Sequence, residues 1–85
     1  MKIIKVKKKF DYKGTELRIV EREEPYMNAK EPLIMTRVIA PNNGMIPVNI
    51  SRKQTLKSII EDTIILLDDF EKRGANIKQE LNKVI

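Results

Sequence analysis

The chain has 85 residues, 41% hydrophobic and 34% charged, which describes one small soluble domain with no room for two independent cores. Without cysteine it has no disulfide, thiolate nucleophile or Cys-type zinc site, and without histidine it lacks the usual proton shuttle. No apolar run reaches the roughly 18 residues of a membrane span, and the basic N-terminus runs into KKKF instead of an apolar stretch, so a cytoplasmic protein without a signal peptide is expected.

The net charge of +5 is segregated: residues 1–13 carry +5 and residues 61–71 carry −5. The first of these segments, MKIIKVKKKFDYK, reads as a strand over 3–12. Ile4, Val6, Phe10 and Tyr12 share one parity, and Lys5, Lys7, Lys9 and Asp11 share the other. Lys8 falls on the apolar parity, which implies a strand end, a bulge, or a lysine stem lying along the rim of the core. YKGTE follows as a turn with Gly14 suited to positive φ, and TELRIVER (15–22) completes a hairpin.

EEPYMNAKEP (23–32) is a polar loop bracketed by Pro25 and Pro32. LIMTRVIA (33–40) is β-branched and apolar, as a central strand would be. PNNG (41–44) signals a turn, and MIPVNI (45–50) reads as a fourth strand. Its Pro47 cannot donate to a ladder, which places that strand at an edge or turns the missing donor outward.

The period then changes from two to 3.6. Ser51 and Gln54 have capping-box spacing, and Gly74 has the place of a residue just past a helix end, so a helix of about six turns is expected from there to Arg73. Leu56, Ile59, Ile60, Thr63, Ile64, Leu67 and Phe70 form its apolar face, with Asp68–Lys72 and Asp69–Arg73 pairs outside. ANIKQELNKVI suggests a short second helix, capped by Asn76 and striped by Ile77, Leu81 and Val84 or Ile85.

These elements predict an α+β fold: a four-stranded antiparallel sheet of two hairpins, one face covered by a long C-terminal helix, with a short terminal helix. The single domain spans 1–85, with the sheet in 1–50, the long helix in 51–74 and the short one in 75–85.

Three features bear on function. In a regular strand Lys5, Lys7 and Lys9 would project from one face at about 6.6 Å intervals, a row able to follow phosphates. The plainer reading is a lysine-protected sheet edge. Ile65 falls opposite the core stripe of the helix, to be covered by the C-terminal helix, covered by a partner subunit, or singly exposed. Tyr26 and Met27, in the middle of the ten-residue loop, are the adaptable anchors that protein interfaces favour, unless Tyr26 folds over the core.

Catalysis has little support. The adjacent carboxylates Glu61–Asp62 and Asp68–Asp69 diverge by about 100° on a helix, and the three glycines sit at turns or caps, not in a phosphate loop. The expectation is therefore a non-enzymatic module acting through protein–protein contact, with another protein or as a homodimer, using Tyr26, Met27 and Ile65. The alternative is a nucleic-acid-binding accessory protein using Lys5, Lys7 and Lys9 with Arg52 and Lys53. No cofactor, metal or membrane partner is expected. Size and the lack of catalytic residues also suit small phage and mobile-element proteins, an association only.

Overall fold

A computed structural model describes residues 2–24, 30 and 33–81. Four strands, β1 (Lys2–Tyr12), β2 (Thr15–Glu24), β3 (Leu33–Ile39) and β4 (Met45–Ile46), form an antiparallel sheet in the order β1-β2-β3-β4. One helix, α1 (Leu56–Lys72), packs on one face, and a short turn of helix, α2 (Ile77–Leu81), follows. The rest of the predicted terminal helix, 82–85, lies outside the described residues.

The β1–β2 connection is Lys13-Gly14, both at positive φ (49° and 87°), which matches the right-handed twist of the strands it joins. Gly14 also donates its N–H to Asp11 Oδ2 at 3.1 Å. At the β3–β4 turn Asn43, not Gly44, takes the positive φ, while Gly44 N–H donates to Asn42 Oδ1 at 2.8 Å.

The strand β1 departs from its expected alternation. Its register with β2 shifts between Ile3 and Lys5 and again between Val6 and Lys8, leaving Ile4 and Lys7 as extra residues. Each bulge flips the strand. Phe10 and Tyr12 stay on the helix-covered face with Lys8, whereas Val6 pairs with Val20 on the opposite face.

The fourth strand is shorter than MIPVNI suggests. It stops at Ile46, and Val48 N–H donates to the Ile46 carbonyl at 2.8 Å in a tight turn about Pro47. The chain leaves the sheet there, and Val48 and Ile50 pack against the core.

The helix also begins later than Ser51. Gln54 Oε1 does accept from Ser51 N–H at 3.1 Å, but this closes a separate turn, in which Gln54 N–H reaches the Ser51 carbonyl at 3.2 Å. The residue that caps α1 is Thr55, whose side chain accepts from Ser58 N–H. At the far end Gly74 (φ 96°) completes a Schellman motif: Ala75 N–H donates to the Phe70 carbonyl and Gly74 N–H to that of Glu71.

The core joins Tyr12, Leu17, Ile19, Val38, Ala40 and Ile46 of the sheet layer to Ile59, Leu67 and Ile77 above it. Thr63 is fully buried among them because its hydroxyl donates to the Ile59 carbonyl at 2.7 Å. All these sheet residues come from the half of the sheet nearest its turns. The other half, Lys2–Lys9, Glu21–Glu24 and Leu33–Arg37, contributes nothing to that cluster.

Candidate interaction surface

The face away from α1 follows from the register. Ile3, Arg22 and Met35 form one row across it; Val6, Val20 and Arg37 form the next; Lys9, Arg18, Ile39 and Met45 the third. Among the described residues no helix covers this face, yet Val20 and Ile39 are fully buried. The arginines beside them in the register, Arg18, Arg22 and Arg37, carry long aliphatic stems able to lie over the sheet. Arg37 is held flat by a two-pronged bond to Glu24, both contacts at 3.1 Å, and Arg18 donates to Asn43 Oδ1 at 3.2 Å.

Beyond the helix, apolar side chains stay in water. Ile3, Ile4, Val6, Leu33 and Ile34 are 38%, 44%, 40%, 41% and 60% exposed. They lie toward one end of the sheet, the end at which residues 25–32 connect β2 to β3, with Ile3, Val6 and Leu33 on the face away from α1 and Ile34 on the α1 side. Tyr26 and Met27 belong to that connection and lie outside the described residues. Exposed apolar side chains grouped in this way mark contact surfaces more often than scattered ones do.

Ile65 does not join that group. It stands 67% exposed on α1, beside Val48, Leu66, Asp62 and Asp69 in a shallow groove, and α2 leaves it uncovered. The lysines do not form a single row. Lys5 shares the helix side of the sheet with Glu21, Lys9 lies opposite Arg18 on the other face, and Lys7 sits in a bulge with its ammonium 3.6 Å from Glu21. Arg52 and Lys53 are exposed in the turn before α1. Phe10 and Tyr12, the aromatics nearest the lysines, face the core, where they offer no platform for bases.

One charged cluster escaped sequence reading. Tyr12 donates its hydroxyl to Asp68 Oδ1 at 2.7 Å, Lys13 bonds Glu71 and lies 3.9 Å from Asp68, and its ammonium stands 5.5 Å from the Tyr12 ring centre. Asp68 thus turns to the hairpin instead of pairing with Lys72; Asp69–Arg73 does form, at 3.1 Å. Burial, reinforced by the bond to Asp68, holds the Tyr12 phenol well above its ordinary pKa, and the Glu71 carboxylate raises that of Lys13. The cluster ties the hairpin tip to the end of α1. Lys13 offsets one of the two carboxylates, Asp68 and Glu71.

An apolar hollow of about 340 Å³ lies between the β3–β4 turn and the end of α1, lined by Ala40, Ile46, Leu67, Phe70 and Ile77. Its polar groups at Asn42 and Glu80 are joined, Asn42 Nδ2 donating to the Glu80 carbonyl at 3.3 Å. Among the described residues no three His, Cys, Asp or Glu side chains are grouped to hold a metal, and no helix is long and apolar enough to cross a membrane.

Compared with protein families, with characterised proteins and with solved structures, the chain matches none.

Proposed function

We propose that this chain is a non-enzymatic interaction module acting through protein contact, and that its contact surface is the end of the sheet beyond α1. The observation that carries this reading is the group Ile3, Ile4, Val6, Leu33 and Ile34, left exposed where the two-layer packing ends. A domain of this size gains little from apolar side chains kept in water. Their presence together is accounted for by a partner that covers them. Tyr26 and Met27 stay candidates on sequence grounds alone, as residues of the connection between β2 and β3, and Ile65 marks a separate, smaller patch.

A polyanion partner is less well supported. The bulges disperse the lysines, Arg37 and Lys7 already have carboxylate partners, and the nearest aromatics face inward. Lysines along β1 serve as edge protection.

The test uses Ile4→Lys, Ile34→Lys and Ile65→Lys variants, checked for folding by circular dichroism. Self-association in sedimentation is expected to be lost in Ile34→Lys, retention of other proteins on the immobilised chain to be lost in Ile4→Lys and Ile34→Lys, and both to be kept in Ile65→Lys. Folded Ile4→Lys and Ile34→Lys variants that associate like wild type would refute the assignment.

A further inference from the structure

The two borders of the sheet differ. The β1 edge is studded with lysines and broken by two bulges, both devices that discourage strand addition. The other border is open for a specific reason. β4 pairs only Ile46 with Val38 and Met45 with Ile39, and the turn about Pro47 then takes the chain away, so among the described residues Leu33–Arg37 has no strand beside it on this border. This stretch is unbulged, since its register with β2 runs unbroken from Arg18↔Ile39 to Glu24↔Leu33. Its single charge, Arg37, is already paired with Glu24.

The direction of its backbone groups follows from one bond. Ala40 N–H donates to the Gly44 carbonyl across the β3–β4 turn at 2.9 Å, so even-numbered residues of β3 point their N–H and C=O toward the β4 side. Ile34 and Thr36 therefore present theirs along the open border. The Thr36 carbonyl there accepts from Arg37 Nη1 at 3.1 Å, which leaves its second lone pair.

We propose that this border pairs with the same border of a second copy, antiparallel about a two-fold axis at Met35, joining two sheets into one. The proposal rests on the interaction reading above and names its partner. Under that symmetry Ile34 of each copy exchanges both backbone hydrogen bonds with Thr36 of the other, and Met35 meets Met35 on the opposite face. The sequence is complementary to itself in this arrangement: β-branched residues face each other, and no like charges are opposed. Pairing two β1 edges would instead set lysine against lysine. Exposed Leu33 and Ile34 lie within the joined strands, where the second copy covers part of each.

Sedimentation of wild type, M35K, M35E and an equimolar mixture of the two variants tests this, with circular dichroism on each. Wild type is expected to dimerise with rising concentration, each variant to remain monomeric, and the mixture to regain the dimer, because opposite charges then meet at the axis. Amide exchange on wild type gives a second measurement that needs no variant: Ile34 and Thr36 amides should slow as the dimer forms. A wild type monomeric at every concentration, or a dimer unchanged in both variants, overturns the pairing. A dimer that resists M35K and M35E but is lost in Ile34→Lys or Ile4→Lys overturns it too, while leaving the interaction reading in place.

Discussion

Tyr12→Phe tests how the two layers are held together. The ring is 5% exposed and stays in the core, so the substitution removes little apolar contact. It does remove the 2.7 Å bond to Asp68. A hydrogen bond to a charged acceptor contributes about 1.5–3 kcal/mol, but Asp68 is 46% exposed and keeps Lys13 nearby, so water replaces part of the loss. The expected cost is about 1–2 kcal/mol, a fall in Tm of roughly 4–16 °C for a domain this size. The pH dependence carries a second signature. Because the folded pKa of Tyr12 is raised, the unfolded chain releases that proton first, near pH 10. Its contribution is complete below that pH and is lost above it, by at most about 1.4 kcal/mol per pH unit. Lys13, also raised, adds a loss of the same sign at alkaline pH. Thermal denaturation from neutral pH to pH 11 should show a steeper alkaline decline in wild type than in Tyr12→Phe. Equal melting temperatures and equal slopes would refute the bond's role.

Gly74→Ala meets no steric obstacle but forces alanine to a φ of 96°, which should destabilise the protein by about 1–2 kcal/mol in urea unfolding. Leu67→Ala opens the centre of the core and is expected to cost about 2–5 kcal/mol, much of the stability of so small a domain, read as a lower urea midpoint. A Lys5/Lys9→Gln variant should bind duplex DNA as weakly as wild type, with no change in salt dependence. A log–log slope shallower by about 0.9 per lysine removed would instead place phosphate contacts on β1.

Local chemistry was legible in the sequence where one residue decides a conformation. Gly14 and Gly74 sit at positive φ as their turn and cap positions require, and Asn76 Oδ1 accepts from Gln79 N–H. The four antiparallel strands and the covering helix also followed from periodicity. Other features needed the fold. Lys8 on the apolar parity signalled irregularity in β1, but an alternation pattern cannot say which residue is extra, and the structure has two, Ile4 and Lys7. Ser51 and Gln54 make the bond their spacing suggests, yet the helix waits for Thr55, because the intervening residues close a turn of their own. Asp68 seemed destined for Lys72; only tertiary packing brings Tyr12 and Lys13 within reach. Pro47 was readable as a residue unable to join a ladder. That it ends β4 after Ile46 and so bares Leu33–Arg37 depended on where the strands stop.

Because the natural chain contains no cysteine, a single Met35→Cys substitution reports one contact without background. In an antiparallel pair the residues between hydrogen-bonded positions stand about 4.5 Å apart at Cα, within the span of about 4.4–6.8 Å that a disulfide bridges. Mild oxidation of this variant should give a covalent dimer rapidly, and Ile65→Cys or Ile4→Cys should cross-link far more slowly. Equal rates at all three positions, or no cross-link through position 35, would contradict a two-fold sheet joined at Met35.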